Sequence, residues 1–406
     1  MASITIIGGS LGGLMAANML VRAGHAVKVL ERASGSLDGR GAGIVTHRPL
    51  LAALERCGIS RGTALGVAVK ERVVLGVDGE VVARASVPQV LTSWSRLYAL
   101  LREALPDACY VPAASVIDVQ QTPSQVTVHC TDGRNFTSDL LVASDGIRST
   151  VRGQIAPMIE VNYAGYVAWR GLCDEAVLSQ RTLGTVFSNF GFGLPHNEQL
   201  IGYPVAGAGN SVLPGARRFN FVWYRQAPDD GSLQSLMTDA DGHHHAQGLP
   251  PNKVSWRHLA QMRQTARQIL APQFAEILEK TAQPFLQPIY DCSSEQMVFG
   301  RIALIGDAAF VARPHVGMGV TKAAEDAVAL VDGIEKFGAS PHAWQDFQSQ
   351  RLVAGRAVVQ RARELGAYMQ SRADASSTLL RSAVDVMMQT AIDLSPIQSD
   401  RDAVAV

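Results

Sequence analysis

The chain opens with a short apolar run, Ser3–Ile7, a glycine-rich turn, and then Leu14–Ala23, rich in Ala, Leu and Met and stopped by Gly24. A second apolar run, Ala26–Leu30, follows. Two short apolar runs flanking a helical segment predict one βαβ unit with a buried parallel pair. Residues 125–130 alternate apolar and polar like a half-exposed strand, and Thr131-Asp132-Gly133 turns the chain into Asn135–Asp139. Two further apolar strands, Leu140–Ala143 and Ile302–Ile305, each stop at a small-residue turn that carries an aspartate, Asp145 or Asp307.

Between 160 and 290 the pattern changes. Aromatic-rich runs (Tyr163–Trp169, Leu200–Val205, Phe219–Tyr224) alternate with Gly and Pro breaks, which predicts an antiparallel sheet forming a separate cap. Residues 228–252 are polar and broken, and 257–280 have helical spacing. Long helical segments over 321–337 and 343–391 finish the pattern, and no internal repeat is visible.

Composition changes this picture little. The 406 residues suffice for two or three structural units, and 47% hydrophobic with 18% charged residues is ordinary for a globular chain. Lys+Arg and Asp+Glu are both 36, so neither a nucleic acid nor an anionic membrane is an expected partner. Five scattered cysteines include no C-x-x-C pair, which argues against a disulfide framework or a zinc site. No signal peptide and no membrane helix is expected, so the cytoplasm is the default location. The tandem histidines 243–245 sit in a polar loop and read as an exposed run; no metal is expected.

Three pieces carry chemistry. The first turn is Gly8-Gly9-Ser10-Leu11-Gly12-Gly13, directly between a strand and a helix. In a dinucleotide-binding turn the outer glycines permit the bend and the close packing of helix on strand; Gly8 and Gly13 fill those places, and Ser10 replaces the middle glycine. Backbone N–H groups at the helix start favour phosphate. Glu31 ends the second strand, 23 residues after Gly8, where an acid grips ribose hydroxyls, with Arg32 beside it. The second piece, Asp145 to Arg152, taken alone reads equally as a strand-to-helix turn with an Asp N-cap. The third is Gly306-Asp307-Ala308-Ala309 followed by Pro314-His315-Val316-Gly317-Met318-Gly319. Its small residues let backbone pass close to a flat ligand, and the helix beginning near Gly319 presents free N–H groups.

In order, context and separation, the three pieces resemble the group A flavoprotein aromatic hydroxylases, the p-hydroxybenzoate hydroxylase-like family, over nearly the whole chain. The Ser10 turn, the run Tyr163 to Gly171 and Arg313-Pro314-His315 look most like its dihydroxypyridine-hydroxylating members. The resemblance implies an α/β fold: a Rossmann-type FAD-binding domain (1–75, 95–155 and 290–340), a mostly antiparallel-sheet substrate cap (76–94 and 156–289) and a C-terminal helical segment (341–406). It implies non-covalent FAD, with the ADP half on Gly8, Ser10, Leu11, Gly13, Glu31 and Arg32. The stretch from Asp145 is associated with both FAD and NAD(P)H. Asp307 matches the residue on the ribityl chain, and Pro314, Gly317 and Gly319 face the flavin. Arg40-Gly41-Ala42-Gly43-Ile44 looks like the second glycine-bearing loop beside it.

The implied reaction is hydroxylation of an electron-rich hydroxylated ring, with O2 and NADH or NADPH, through a flavin C4a-hydroperoxide. The implied partners are a small aromatic substrate and, at most, a second copy of the chain. His315 is the candidate catalytic residue, having a suitable pKa range to orient or deprotonate a substrate hydroxyl; the alternative is a simple backbone contact beside Pro314. Tyr203, Trp169 and Arg170 are the candidate substrate-binding residues, with core packing or a surface ion pair as the alternatives. Hydroxylation of a purine, benzoate or salicylate, or a flavin-binding electron-transfer or regulatory protein, are the rival functions. Three positions depart from the family pattern: Phe310 stands where histidine is usual, Thr321 where asparagine is common, and Trp94 where arginine is common.

Overall fold

The computed structural model describes residues 1–35, 37, 43–246, 248–367 and 382–394. Arg40, Gly41 and Ala42 of the second glycine-bearing loop lie outside the described residues.

Two large sheets organise the chain. The first has six strands in the order Val298–Phe299, Ile302–Leu304, Leu140–Ala143, Ser3–Ile7, Ala26–Leu30 and Tyr110–Val111. All its pairings are parallel except that of Val298–Phe299 with its neighbour. Ile7 pairs with both Leu30 and Ala143, so three strands end level and deliver Gly8, Glu31 and Ser144 to one edge. This carboxyl edge of a parallel sheet is where open α/β folds bind ligands. The helices Leu11–Arg22 and Gly319–Phe337 pack together over the sheet, and Leu14, Leu20, Val29 and Leu330 lie in its fully enclosed core. The expected βαβ opening and the α/β class are both present.

The second sheet has nine strands and is antiparallel except where Phe190–Gly193 meets Val67–Leu75. Its two faces separate cleanly. Val167, Trp169, Phe219, Phe221 and Trp223 pack under the helices Trp256–Ile269 and Pro272–Lys280, while Ala168, Ile201, Tyr203, Val222 and Tyr224 point the other way. Period-two alternation along each strand produces the division.

The sheets depart from the boundaries of the sequence reading at two places; at one, Phe310–Val311, placed with 290–340 in the nucleotide domain, pairs with Phe285–Ser293 of the nine-stranded sheet. At the other, that reading assigns 1–75 to the nucleotide domain, yet Gly43–Val45 and Val67–Leu75 hydrogen-bond into the nine-stranded sheet. Apolar runs do not reveal which sheet a strand will join. Among the described residues, the long helical pattern after 343 includes Pro341–Ala367 and a short helix, Ala383–Gln389, which packs on Val67–Leu75.

Candidate functional site

The glycines of the first turn are held by contacts that no side chain would tolerate. Gly8 has φ +103°, and a Cβ on it would lie 2.3 Å from Ser144 O; a Cβ on Gly13 would lie 2.0 Å from Gly8 O. Helix and strand therefore pack backbone to backbone, leaving the turn's N–H groups at the sheet edge. Glu31 is buried and already oriented: Gly9 N–H donates to its Oε2 and Ala33 N–H to its Oε1, both at 2.9 Å. Gly8, Ser10, Glu31, Arg32 and Asp145 share one cavity of about 320 Å³. Leu11 and Gly13 sit behind it as buried helix residues.

Asp145 accepts from Val151 N–H (3.2 Å) through one oxygen, while its other oxygen is enclosed and makes no hydrogen bond among the described residues. Burial pushes its carboxyl up, against the hydrogen bonds from Ser149 and Val151. An orphaned acceptor on a cavity rim is a group waiting for a donor.

A second cavity, of about 310 Å³, is lined by Gly43 and Ile44, by Asp307, Pro314, Gly317 and Gly319, and by further residues of the nine-stranded sheet. Those include Arg170, Tyr203, Tyr224 and Gln287. Trp94 lines both cavities and stacks on Tyr98, with ring centroids 4.9 Å apart. An elongated ligand with a nucleotide at one end and a flat ring at the other fits this paired layout.

Asp307 lies where the two sheets meet. Half of its side-chain surface faces the open cleft, although protein surrounds it on every other side. Burial pushes its carboxyl up, and the nearby ammonium of Lys322, 3.9 Å away, pulls it back down. Lys322 is fully buried, and its Nζ makes no hydrogen bond among the described residues. Arg152 ties this turn to the Asp145 stretch: its Nη1 donates to Asp307 O (3.3 Å) and Ala308 O (3.0 Å), and its Nη2 to Ile147 O. Sequence reasoning singles out neither cation's role, though a lysine inside the apolar helix start Val320 to Ala324 is a visible anomaly.

The cap wall is sparingly polar. Arg170 Nη1 donates to Gln287 Oε1 (2.6 Å), but Arg170 Nε and the Tyr224 hydroxyl are buried with no partner among the described residues. Burial pushes the Tyr203 phenol up to about 12 and the Tyr224 phenol higher still, so both stay protonated. Tyr203 also backs the strand Gly43–Val45, since a Cβ on Gly43 would lie 2.4 Å from its ring.

Two expected site residues are not in the cavity. Trp169 pairs with Trp223 and points into the helix-covered core, because its neighbours Ala168 and Arg170 take the cavity face. His315 is almost fully buried one layer behind the wall. Gln199 Nε2 donates to Thr390 Oγ1 (3.2 Å), which turns its Oε1 toward His315 Nδ1 at 2.7 Å. Nδ1 then carries the proton, and Nε2 accepts from the Tyr166 hydroxyl at 2.9 Å. Burial, with Arg313 nearby, drives the imidazole down to about 3, so it is neutral and engaged at both nitrogens. Its ring centroid lies 4.0 Å from that of Tyr224. This geometry sets it against Tyr224, away from direct contact with a bound ring.

The departures from the family pattern each have a structural place. Phe310 is buried against Gly355, Thr321 Oγ1 bonds His47 Nδ1 at 2.9 Å, and Trp94 joins the two cavities.

Comparison with known proteins agrees with this layout. An FAD binding domain family model matches residues 1–179, and an FAD binding domain-like model matches 163–291. The chain is 29% identical over 367 residues to 2,6-dihydroxypyridine 3-monooxygenase of Paenarthrobacter nicotinovorans, covering 90% of this chain and 91% of that protein. Among solved structures it is similar to 2,6-dihydroxypyridine-3-hydroxylase from Arthrobacter nicotinovorans, with TM-score 0.85, 29% identity, and 91% and 93% of the two chains covered. It shares the fold of Klebsiella pneumoniae HpxO complexed with FAD and uric acid, with TM-score 0.75, 20% identity, and 98% and 95% covered. No described helix is long and apolar enough to cross a membrane.

Proposed function

For a chain that belongs to the group A flavoprotein aromatic hydroxylases, we propose that the substrate is a small hydroxylated heteroaromatic ring, a dihydroxypyridine, hydroxylated with O2 and NADH or NADPH in the cytoplasm. The observation that carries the reading is the second cavity, where an aromatic and sparingly polar cap wall faces the small-residue turn Pro314 to Gly319. The name of the P. nicotinovorans relative supports the ring class, and five free cysteines suit a reducing compartment.

FAD is the cofactor, and the residues present fit it. Gly8, Ser10, Leu11 and Gly13 would hold the pyrophosphate, Glu31 and Arg32 the adenosine, and Asp145 a donor along the chain. Asp307 would accept from ribityl hydroxyls; Gly43, Ile44, Pro314, Gly317 and Gly319 would flank the flavin ring, with Arg40 on the same loop. When bound, the reduced flavin supplies an electrophilic oxygen for transfer to an electron-rich ring. The protein's own part is orientation and exclusion of water. The Tyr224 hydroxyl and Arg170 Nε are two donors available to a ring oxygen, and a protonated phenol beside a cation favours that oxygen as an anion. His315 acts as a positioning residue that holds Tyr224 from behind. NAD(P)H would reach the flavin from the open face of the same cleft.

The test is a purified, yellow protein releasing FAD on heating, offered 2,6-dihydroxypyridine, 6-hydroxynicotinate, 3-hydroxybenzoate and urate with each nicotinamide cofactor. Ring-stimulated NAD(P)H oxidation with a product heavier by one oxygen is expected for the dihydroxypyridine. Stimulation by another ring alone would reassign the substrate, and stimulation by none would point to a non-hydroxylating flavoprotein.

A further inference from the structure

The ring cavity has a wall that does not come from either sheet. Ala391, two residues beyond the helix Ala383–Gln389, lines it beside Gly317 and Tyr224. Ala391 has φ +52°, a left-handed conformation that alanine adopts only when its surroundings require it. Its N–H donates to His315 O (3.0 Å), and a Cβ on Gly317 would lie 2.7 Å from Ala391 Cβ. Segment and flavin-side turn are thus in direct contact, and neither shifts without the other.

A buried cation fixes that contact. Arg72, on the strand Val67–Leu75, is fully enclosed and stands over the Phe190 ring at 5.0 Å. Its Nη1 donates to Met387 O and Thr390 O, both at 2.6 Å. Its Nη2 donates to Ala391 O (3.1 Å) and Gln89 Oε1 (2.7 Å), and its Nε to Gln89 Oε1 (3.1 Å). These five bonds use all five guanidinium N–H donors, and three of them end on the backbone of residues 387–391. Every acceptor is neutral, so burial draws the Arg72 pKa down to about 10. An enclosed charge without a carboxylate is a costly way to build a sheet interior. What it achieves here is a single placement of the chain from Met387 to Ala391. Gln199, which also bonds His315, adds a further tie at Thr390.

We propose that residues 383–391 are the specificity element of the ring cavity: Ala391 limits the size of the ring admitted, and Arg72 is the positioning residue that clamps it against Gly317. The inference rests on the reading of that cavity as the ring site.

Two arms test it on the full-length holoenzyme. In the first, dissociation constants for 2,6-dihydroxypyridine and the bicyclic 2,4-dihydroxyquinoline are read from perturbation of the flavin absorbance. Ala391→Gly, which relieves the left-handed strain and removes a methyl, should shift the monocycle-to-bicycle preference toward the bicycle by about fivefold or more. Ala391→Met should shift it the other way by about tenfold, in the range a methylene or two commands in an apolar pocket. The FAD content of both variants should match the parent. In the second arm, collisional quenching of bound flavin by iodide is compared in the parent, Arg72→Lys and Arg72→Met. Lysine has three donors for the five positions, so the clamp loosens and the quenching constant should rise at least about twofold. Unchanged ring preference in both Ala391 variants, or unchanged quenching in an Arg72 variant that retains FAD, overturns the proposal. If neither ring binds the parent, the substrate reading fails, and the iodide arm alone decides the role of the segment. If neither Arg72 variant holds FAD, the Ala391 pair decides it.

Discussion

The two cavities joined by Trp94 are built by opposite means. The nucleotide-side cavity is made of backbone at the ends of parallel strands, and its donors and acceptors lie within a few residues of Gly8, Glu31 and Asp145. The ring-side cavity is made of side chains that converge from segments far apart in the chain, among them Gly43–Val45, the cap strands, the Asp307–Gly319 turn and Ala391. The first is rigid because glycine contacts leave no room. The second is rigid only as far as clamps such as Arg72 and the His315 network hold it. Recognition of a shared cofactor can be fixed in short-range geometry, while recognition of a particular ring is left to long-range packing, where single substitutions can retune it.

The sharpest way to break this contrast is at Gly13. Gly13→Ala would push a methyl to within 2.0 Å of Gly8 O, and overpacking of this kind costs up to ~3 kcal/mol, roughly a hundredfold in affinity. FAD affinity should fall by about that much in fluorescence titration, with the circular dichroism of the cap sheet retained. Next comes Asp307→Ala. Loss of a charged acceptor costs ~1.5–3 kcal/mol, so FAD should bind on the order of tenfold to a hundredfold more weakly. Full affinity in a folded Asp307 variant would remove this residue from the cofactor site.

Tyr224→Phe should act on the other side of the comparison. Its hydroxyl has no protein partner among the described residues, so stability should hold, while the KM for the ring rises about fivefold, the worth of one ordinary hydrogen bond. FAD retention should not change. Equal losses of ring and FAD affinity would mean that the two cavities are one functional unit.

Lys322→Met gives a smaller, pH-dependent effect. Burial raises the Asp307 carboxyl and Lys322 lowers it, so removing the ammonium moves it further up. The ionised carboxylate is the acceptor, so FAD affinity rises with pH through its pKa. In the variant that rise should occur at higher pH, with less than about a tenfold difference left at pH 9. A parallel pH profile would show that Lys322 does not govern Asp307. The smallest effect is expected for His315→Gln: FAD stays bound, hydroxylation slows about two- to fivefold, and more peroxide is released per NAD(P)H. Since His315 is held at about 3, no limb of the pH–rate profile near neutrality should disappear. Loss of such a limb would restore His315 as the base.

What the sequence discloses follows the same division. The Gly8–Gly13 turn and Glu31 are readable because phosphate binding depends on neighbours in the chain, and the alternation of strands and helices reveals the α/β class. Trp169 is misread because an aromatic run does not say which parity faces the cavity; a shift of one residue exchanges the two faces. Arg72 and Ala391 escape because their meeting spans 319 positions. The only local sign is an arginine preceding the apolar run Val73 to Leu75. Arg152 is visible as part of a motif, but its carbonyl partners at Asp307 and Ala308 are not.

Trp94 has a consequence of another kind. A single indole stands in the wall of both compartments, stacked on Tyr98. Its emission overlaps flavin absorption, so a cofactor settling beside it drains its excited state by energy transfer. The protein thereby carries its own optical gauge. In a variant that keeps Trp94 alone of the five tryptophans, filling of the nucleotide end and of the ring end can be followed as separate steps in the decay of one lifetime, with no label attached.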